Sequence, residues 1–395
     1  MRILYFSKDY TTHDHRFLSA LANTEHKVFY LRLEKRGHSL EDRSLPPQIE
    51  QVVWAGGQAP ATRGDGLRLW VDLKRVLRSI KPDLVHAGPV QRSAFLTALT
   101  GFRPLVSMSW GYDLLVDAQR DRLWEWATRF TLKRSDVLVG DCCTIRERAV
   151  SYGMPDEHIV TFPWGVDLHK FNPRDNEDRQ IVWPSYGQPD DVGEVFVLLS
   201  TRSWEPIYGV EVIAQAFVLA SQKLASVSLG AKAIPELRLL MLGNGSQAGL
   251  LREIFLRGGV MEQVHFPGHV NQVDLPRYYR SSDLYLSASH SDGSSISLLE
   301  AMASGLPALV SDIPGNREWV NPDEQGWWFI DGDHHSMADG IVQAVRQRER
   351  IPEMGRAARK LVEQRANWDL NFPKLLEAYH LAVQVHKKAR GQIQE

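Results

Sequence analysis

Two carboxylates stand eight residues apart in this sequence, at a place where a strand, a turn and a helix are predicted in succession. They are Asp292 and Glu300, within the string SHSDGSSISLLEAMASGLPALVSDIPGNRE. Apolar residues alternate before the turn at Gly293 and recur at helical spacing after it. The first turn of a helix carries unpaired N–H groups and a partial positive charge, which favour a bound phosphate. The spacing therefore predicts a diphosphate between the two acids, with a sugar near one and a ribose near the other.

The same string resembles the E-x7-E motif of retaining glycosyltransferases with the GT-B fold, in the large fourth sequence family, also called glycosyl transferases group 1. Asp292 stands where that family has its first glutamate. The continuation to Glu318 is similar to the family's EAMA-x-G-x-P-V-V run, which precedes a turn of small residues and a glutamate. An acid pair alone is usually a solvated helix face, whereas a thirty-residue string of this kind is much harder to obtain by chance.

A second match lies at Trp164–Pro173, with the sequence WGVDLHKFNP. It is similar to the family's N-G-V-D-x-x-x-F-x-P hinge sequence, with Trp164 in place of asparagine. The alternative is an ordinary turn that leads into a linker. Its position at the predicted domain boundary, ahead of the acid pair, favours the hinge.

Two domains must position these motifs, because 395 residues with 43% hydrophobic content exceed one ordinary core. In each half, short β-rich runs alternate with helix-length segments, which predicts a parallel sheet with helices on both faces. The predicted strands of the first half are Ile3–Ser7, Lys27–Leu33, Gln51–Trp54, Leu84–Ala87, Leu105–Trp110, Val137–Gly140 and Ile159–Trp164. Those of the second half are Val195–Thr201, Leu237–Leu242, Val264–Pro267, Leu284–Ser289, Ala308–Ser311 and Trp327–Ile330.

The expected fold class is α/β, and the resemblance specifies GT-B, with two Rossmann-like doubly wound domains facing a central cleft. A stretch rich in Pro, Asp, Asn and Gly predicts a linker at 172–193. We expect an N-terminal acceptor-binding domain at 1–171 and a C-terminal nucleotide-sugar-binding domain at 194–369. The resemblance also implies that the last segment, about 370–395, returns to the first domain.

The turn after the first strand of the second domain supplies a candidate cation for the diphosphate. The family has an arginine there and, five or six residues later, a lysine before a glycine. Arg202 matches, but Tyr208 stands in the lysine position ahead of Gly209. A planar guanidinium binds two phosphate oxygens at once and keeps its charge, whereas a tyrosine neutralises nothing. A surface ion pair is the alternative role for Arg202.

The resemblance implies that Asp292 holds hydroxyls of the donor sugar and that Glu300 holds the ribose. The expected catalytic residues are Asp292, Arg202 and His86. The full expected donor-binding set is Arg202, Tyr208, Gly243, Asn244, Val270, Asp292, Gly293, Ser294, Ser295, Ile296, Ser297 and Glu300. Within that set, the turn at Gly243 and Asn244 lacks the third glycine of a dinucleotide motif, so it is expected to border the nucleotide base.

The first domain matches the family less closely. The run at 8–17 replaces a Gly-Gly turn, and only His86 remains of an H-x-H motif. A buried, hydrogen-bonded core histidine explains His86 as well as a substrate contact does. His13 and Arg16 follow the first strand, where ligands enter doubly wound domains. The expected acceptor-binding residues are His13, Arg16, Trp110, Tyr112 and Asp113.

Composition and charge further restrict the possible partners and cofactors of this protein. The 46 basic and 48 acidic residues give a net charge of −2, which indicates no polyanionic partner such as nucleic acid. The adjacent Cys142 and Cys143 cannot form a disulfide framework and fit a reducing compartment. The sequence at 331–333, Asp-Gly-Asp, resembles the D-x-D motif of another glycosyltransferase fold, but a turn and helix N-cap explain it better. We expect no metal site and no cofactor.

No apolar stretch reaches the length of a membrane span, and the N-terminus lacks the apolar core of a signal peptide. We therefore expect a cytoplasmic protein. Peripheral contact with the inner face of a membrane is left open by one amphipathic stretch, which combines Trp124, Trp126 and Phe130 with Arg120, Arg122, Arg129, Lys133 and Arg134. The alternative is a helix with a core face and a face of solvated charge.

The expected function is the metal-independent transfer of a sugar from a nucleotide-diphosphate donor to an acceptor hydroxyl or amine, with the anomeric configuration retained. Uridine is the default base by family frequency. The acceptor, whether a glycan, a lipid-linked molecule or a small molecule, is not defined by the sequence. The alternative is a catalytically weak or inactive nucleotide-sugar-binding subunit, which the departures from the family pattern at Tyr208, at Gly88 and in the turn after the first strand favour.

Overall fold

The computed structural model describes residues 1–35, 41, 43–173, 195–227 and 234–391. The chain divides into two compact units, Met1–Phe162 with Asn371–Glu395, and Pro163–Leu370. Each unit is built on its own parallel sheet.

The first unit contains a seven-stranded sheet in the spatial order β3-β2-β1-β4-β5-β6-β7. Its strands are β1 (Arg2–Ser7), β2 (Lys27–Arg32), β3 (Glu50–Gln51), β4 (Leu84–Ala87), β5 (Leu105–Met108), β6 (Val137–Gly140) and β7 (Ile159–Thr161). Its helices are α1 (Thr12–Ala22), α2 (Gly66–Ile80), α3 (Phe95–Thr100), α4 (Tyr112–Leu115), α5 (Arg122–Arg134) and α6 (Cys143–Ser151). Leu4 and Phe6 of β1 share one apolar cluster with Leu73 of α2, so α2 packs on one face of this sheet.

The second unit contains a six-stranded sheet in the order β10-β9-β8-β11-β12-β13. Its strands are β8 (Val195–Ser200), β9 (Glu236–Leu242), β10 (Val264–Gly268), β11 (Leu284–Ser287), β12 (Ala308–Ser311) and β13 (Gly326–Phe329). Its helices are α7 (Val210–Val227), α8 (Ala248–Arg257), α9 (Leu275–Arg280), α10 (Ile296–Ala303), α11 (Pro314–Arg317), α12 (His334–Arg346) and α13 (Ile351–Arg365).

Alternate residues of β8 belong to two different cores. Phe196 and Leu198 lie in a cluster that includes residues of α7, α8 and α12, whereas Val197 and Leu199 lie in a cluster that includes residues of α10 and α13. Because successive side chains of a strand point to opposite faces, helices cover both faces of this sheet. The predicted α/β class, with two doubly wound parallel sheets, is confirmed.

The strand order reverses at one place in each sheet. β1 lies between β2 and β4, and β8 lies between β9 and β11. In open α/β sheets, ligands bind outside the carboxyl ends of the strands at this point. In the second unit, the segments that follow β8 and β11 carry Arg202 and Asp292.

Some strands are shorter than predicted. The predicted strand at Gln51–Trp54 is reduced to β3, at the edge of the sheet, and Trp54 leaves it to donate its indole N–H to the Arg32 carbonyl at 2.8 Å. β7 ends at Thr161, two residues before Pro163, which has no N–H to extend the ladder.

The hinge motif falls in the second unit, although the sequence placed residues up to 171 in the first domain. Val166 and Phe171 are buried in the core of the second unit, and the Val166 N–H donates to the Ala366 carbonyl at 2.7 Å. Apolar burial therefore assigns the motif to that unit. The predicted linker at 172–193 lies outside the described residues after its first two.

The last described helix is α14 (Trp368–Ala389), and the division between the units falls within it. In the part counted with the first unit, Leu375, Tyr379 and Ala382 are buried. Among the described residues, no helix is both long enough and apolar enough to cross a bilayer.

Candidate active site

Arg202 lies in the turn after β8, and its guanidinium is held from three sides. Its Nη2 lies 2.7 Å from Asp292 Oδ2. Its Nη1 donates to the hydroxyls of Ser295 and Ser297 at 2.9 and 3.2 Å. The ring of Tyr208 covers one face, with its centroid 4.1 Å from Arg202 Cζ. The side chains of Arg202 and Asp292 are 12% and 20% exposed, so the ion pair is partly withdrawn from water. We call these five residues the arginine cluster.

The charge on Arg202 is permanent. Burial by itself lowers the pKa of Arg202, but Asp292 together with Tyr208, Tyr285 and Tyr279 raises the pKa above its ordinary value. An arginine in this state stays protonated at physiological pH, as an anion-binding group must. Its partner in this structure is a carboxylate, so an anionic ligand at the guanidinium must join or displace Asp292.

A close backbone contact ties the turn after β8 to the segment after β11. The turn includes a short 3₁₀ segment, Pro206–Tyr208, followed by Gly209 with a φ of 56°. A Cβ at Gly209 would lie 2.2 Å from the carbonyl oxygen of Ala288. Only glycine fits this position, because the backbone is left-handed and there is no room for a side chain.

The turn that carries Asp292 leads directly into α10, which confirms the predicted strand, turn and helix. Ser295 is the N-cap residue, but its hydroxyl makes no capping hydrogen bond and instead accepts from Arg202. On the other side of the turn, a Cβ at Gly315 would lie 2.4 Å from the Asp292 carbonyl oxygen. The backbone of α11 therefore lies directly against the acid-bearing turn and fixes its course.

Glu300 lies in the second turn of α10 and is buried. The Tyr279 hydroxyl donates to Glu300 Oε2 at 3.0 Å and lies 3.2 Å from Thr201 Oγ1. Burial first, and the charge of Glu300 second, raise the pKa of Tyr279 well above its ordinary value. The second acid is therefore connected to the Arg202 turn through a neutral tyrosine and a threonine.

Two tyrosines near this site were not singled out from the sequence. Besides Tyr279, Tyr285 in β11 donates its hydroxyl to Ser297 Oγ at 2.8 Å, and both side chains are fully buried. A tyrosine in an otherwise apolar buried element must find a polar partner for its hydroxyl. That rule, applied to the predicted strand before Asp292, would have included Tyr285.

The predicted base-binding residues follow β9 and β10, at the same end of the sheet as the Arg202 turn. The Gly243 N–H donates to the Gly268 carbonyl at 2.7 Å, and the Asn244 carbonyl accepts from the Trp204 N–H at 3.0 Å. A Cβ at Gly243 would lie 3.1 Å from the Arg202 carbonyl oxygen. A cavity of about 230 Å³ follows β10 and is lined by Pro267, His269, Val270, Asn271, Asp274, Arg277 and Tyr278.

His86 is a buried residue of β4, and its expected catalytic role stays a prediction. Its Nδ1 lies 2.7 Å from the Tyr379 hydroxyl, and its Nε2 lies 3.3 Å from Met108 Sδ. Burial lowers the pKa of His86 to about 3, so the imidazole is neutral at physiological pH. The alternative interpretation, a hydrogen-bonded core histidine, is the one that the geometry supports.

Asp113 is also buried, and its expected role in binding the acceptor stays a prediction. Its carboxylate accepts hydrogen bonds from the Val90 N–H at 2.8 Å, the Trp110 N–H at 3.0 Å and the Ser109 hydroxyl at 2.7 Å. Burial raises its pKa. The carboxylate joins two backbone turns and has a structural role.

The other expected acceptor residues are at least partly accessible. His13 and Trp110 form an aromatic pair with ring centroids 5.3 Å apart. Tyr112 is exposed, and Arg16 is half-buried. Their role in binding an acceptor stays a prediction.

The Asp-Gly-Asp sequence has the structural role that was expected for it. Asp333 is the N-cap of α12, where its Oδ1 accepts from the backbone N–H groups of His335 and Ser336 at 2.8 and 3.1 Å. Asp331 Oδ1 accepts a hydrogen bond from His290 Nδ1 at 2.7 Å. The predicted turn and N-cap are confirmed.

Two family models match this chain. Residues 11–170 match the model described as Glycosyltransferase Family 4, and residues 190–361 match the model described as Glycosyl transferases group 1. Together the two matches cover most of the sequence. The chain belongs to glycosyltransferase family 4.

Relatives within the family differ in what they are named for. The chain is 23% identical to a GDP-mannose-dependent alpha-mannosyltransferase of Mycobacterium tuberculosis, over 77% of this chain and 74% of that protein. It is 25% identical to the sulfoquinovosyl transferase SQD2 of Arabidopsis thaliana, over 78% of this chain and 59% of that protein. A peptide N-acetylglucosaminyltransferase GtfA subunit of Streptococcus pneumoniae is 33% identical over 29% of this chain, and this match spans about a fifth (22%) of that subunit.

Solved structures share the fold across nearly the whole chain. HepE of Anabaena, crystallised with UDP, superposes with a TM-score of 0.73 at 14% identity, over 96% of this chain and 100% of that one. Sucrose-phosphate synthase of Thermosynechococcus elongatus gives a TM-score of 0.75 at 18% identity, over 96% and 98% of the two chains. At these identities, the likeness shows the GT-B fold alone.

Proposed function

We propose that this chain is a retaining glycosyltransferase that moves a sugar from a nucleoside-diphosphate donor to an acceptor hydroxyl or amine. The observation that carries the proposal is the arginine cluster at the start of α10. A permanent cation, two hydroxyl groups and the first turn of a helix converge there, and each favours a diphosphate. Membership of the family supports the same activity.

The proposed reaction breaks the bond between the anomeric carbon of the donor and a diphosphate oxygen, and the electron pair stays on that oxygen. Arg202 and the N–H groups at the start of α10 stabilise the developing charge without reorganising. The acceptor oxygen or nitrogen attacks the anomeric carbon from the same face. A donor phosphate oxygen accepts the acceptor's proton, so that retention needs neither a protein nucleophile nor a metal ion.

Asp292 serves as the counterion of Arg202 until the donor binds. A diphosphate supplies the counter-charge instead and frees the carboxylate to accept hydrogen bonds from hydroxyls of the donor sugar. Tyr208 occupies the position of the family's lysine and covers the guanidinium face. Because a tyrosine supplies no charge, it orients the cation but leaves this turn with one positive group for the leaving diphosphate.

The remaining donor contacts follow from the family resemblance and their placement. Glu300 accepts hydrogen bonds from the ribose, and the cavity lined by Val270 receives the base. We propose uridine as that base, because the structurally similar HepE was crystallised with UDP. Guanosine is the competing choice, because one relative is named for GDP-mannose.

Thermal unfolding with a panel of UDP-sugars, GDP-sugars and the free nucleotides tests the proposal. A ligand that binds the folded chain raises the unfolding midpoint by mass action. We expect a UDP-sugar to do so, and we expect slow hydrolysis of that donor in the absence of an acceptor, with or without a chelator.

Arg202→Ala should abolish the stabilisation, whereas Arg257→Ala, which removes an exposed arginine from α8 of the same unit, should leave it unchanged. Stabilisation without any turnover, across a range of acceptors, would favour the alternative of a nucleotide-sugar-binding subunit.

A further inference from the structure

Large apolar side chains are exposed on three neighbouring helices of the first unit. Leu123 and Trp126 of α5 are 57% and 50% exposed. The other exposed apolar residues of this surface are Leu67 and Val71 of α2 and Leu99 of α3. Phe95 of α3 connects the helices, because its ring lies 5.7 Å from that of Trp126. We call this surface the α2–α5 face. The Trp70 indole N–H of α2 also donates to the Leu99 carbonyl of α3 at 3.1 Å, so the exposed apolar residues lie on helices that contact one another.

The α2–α5 face carries more positive charge than the chain as a whole. The segment Arg120–Arg134 contains five cations, Arg120, Arg122, Arg129, Lys133 and Arg134, and two acids, Asp121 and Glu125. α2 contains four cations, Arg68, Lys74, Arg75 and Arg78, and one acid, Asp72. Each segment therefore has a local charge of +3, whereas the whole chain has a net charge of −2. The positive charge is concentrated where the apolar side chains are exposed.

Several of these cations lie over aromatic rings at the same surface. Lys74 Nζ is 3.8 Å from the centroid of Trp70, and Arg134 Cζ is 5.0 Å from that of Phe130. Arg120 Cζ lies 4.9 Å from the centroid of Trp124. Long basic side chains that extend along aromatic rings place their charges beside the apolar area and not above it. Apolar groups can then be withdrawn from water while the charges stay hydrated.

We propose that the α2–α5 face binds the surface of a lipid bilayer that carries anionic headgroups. A helix with Trp and Leu on one face and Lys and Arg beside them is the form that lies in a membrane interface. Protein interfaces, by contrast, are depleted in charged residues at their core. A bilayer accepts exposed apolar side chains and several peripheral cations at once, and so it fits both properties of the surface. This inference goes beyond the proposed sugar transfer and does not depend on it.

The test is sedimentation of the full chain with vesicles of phosphatidylcholine alone and of phosphatidylcholine mixed with phosphatidylglycerol. We expect binding to the mixed vesicles, with little binding to the neutral ones. Arg122→Ser and Lys133→Ser should each weaken the partition about fivefold, the effect of one cation at an anionic surface. Salt at about 1 M should abolish most of the binding, because the screening length falls to roughly 3 Å.

Leu123→Ser combined with Trp126→Ser should weaken the partition at least tenfold. Leu123→Ser alone tests the same face if the double variant fails to fold. The matched control is Leu256→Ser, an equally exposed leucine on α8 of the second unit, which should bind vesicles as the unchanged chain does. Thermal unfolding with a nucleotide sugar, run on the same variants, should be unaffected and so separates this inference from the proposed function.

Three results would overturn the inference. The first is equal binding to neutral and anionic vesicles. The second is loss of binding in Leu256→Ser to the same extent as in Leu123→Ser. The third is a dimer of the unchanged chain, seen by analytical ultracentrifugation, that dissociates on Leu123→Ser, since that result would assign the face to a second copy of the chain.

Discussion

The second unit pairs a partly exposed arginine with an acid after its strands, whereas the first unit encloses a neutral, hydrogen-bonded histidine within β4. Arg202 is paired with Asp292, and a ligand of the same charge as the carboxylate can take over that pairing. His86 is joined to Tyr379 in a fully buried contact, which no ligand can replace without opening the core. Two similar sheets therefore use polar side chains differently: an exchangeable ion pair can bind a ligand, and a saturated hydrogen bond stabilises the fold.

Among the substitutions in the second unit, removal of Arg202 should reduce turnover the most. Arg202→Ala should reduce turnover roughly 100- to 1,000-fold, the usual cost of losing one preorganised group at a developing charge. It should also weaken nucleoside-diphosphate binding. Arg202→Lys should restore only part of each, because an ammonium cannot reproduce the planar fork. Steady-state rates and calorimetry measure the two effects, and unchanged affinity in the alanine variant would return Arg202 to a surface ion-pair role.

Glu300→Gln should weaken the free nucleoside diphosphate and the complete donor alike, by about 1–3 kcal/mol for a hydrogen bond to a charged group. The physical reason is that both ligands carry the ribose. Tyr279→Phe is the control, because it removes the bond donated to Glu300 and keeps the carboxylate. Calorimetry with both ligands should show a smaller loss in the control. Loss of the complete donor alone would place Glu300 at the sugar.

Asp292→Asn should separate binding from turnover. When the Asp292 carboxylate is removed, Arg202 loses its anionic partner in this ion pair. The free nucleoside diphosphate should then bind about fivefold more tightly, a change of order 1 kcal/mol for a partly exposed ion pair. Turnover should nevertheless fall at least roughly tenfold, because contacts to the sugar hydroxyls are lost where they matter near the transition state. Calorimetry and steady-state rates on one preparation test this, and weaker nucleotide binding would contradict it.

His86→Gln should change stability but leave the turnover of the folded chain intact. Burial lowers the pKa of His86 from 6.5 to about 3, so the unfolded chain binds an extra proton between these values and stability falls as the pH drops below 6.5. The slope from this residue is at most about 1.4 kcal/mol per pH unit. Denaturant unfolding at several pH values should show that the free energy of unfolding falls less steeply with decreasing pH in the variant than in the unchanged chain.

Asp14 supplies the internal check for that measurement. Burial raises its pKa from 3.8 to about 6, so it contributes the opposite slope between these values, in the variant and in the unchanged chain. The difference between the two proteins therefore isolates His86. A variant with the same pH dependence and a large loss of turnover would show that the two units are less different than the geometry indicates.

Substitution of Tyr208 should have the smallest effect on donor binding. Tyr208→Leu removes the ring from the guanidinium face and should weaken donor binding by about 0.5–1 kcal/mol, the value of such a contact at a partly exposed site. Tyr208→Phe keeps the ring face and should match the unchanged chain. Equal losses in both variants, measured by calorimetry, would assign the effect to the hydroxyl and not to the ring.

The alternation of strands and helices was predictable from the sequence because it depends on neighbours along the chain. The same holds for the turn and helix around Asp292, where the motif itself determines the local structure. Arg202 could be chosen by its position after a strand. Its ion pair with Asp292 was not predicted, since 90 residues separate the two in the sequence.

The features that the sequence could not show are those that depend on distant contacts. His86 is separated from Tyr379 by 293 positions, and nothing close to His86 in the sequence shows that its ring is enclosed. The hinge motif was assigned to the first domain because it precedes the linker, but Val166 is buried among residues of the second unit that lie much later in the chain. Burial of this kind is a property of the whole fold and not of a local pattern.

The contact between Gly315 and the Asp292 backbone has a consequence for anyone who would redesign the donor preference of this protein. The acid-bearing turn cannot be moved by small steps, because even one methyl group at Gly315 would meet the Asp292 carbonyl oxygen at 2.4 Å. Directed evolution should therefore find few tolerated changes there. Productive substitutions are expected instead around the cavity at Val270, where side chains line open space and can vary in size without displacing the backbone.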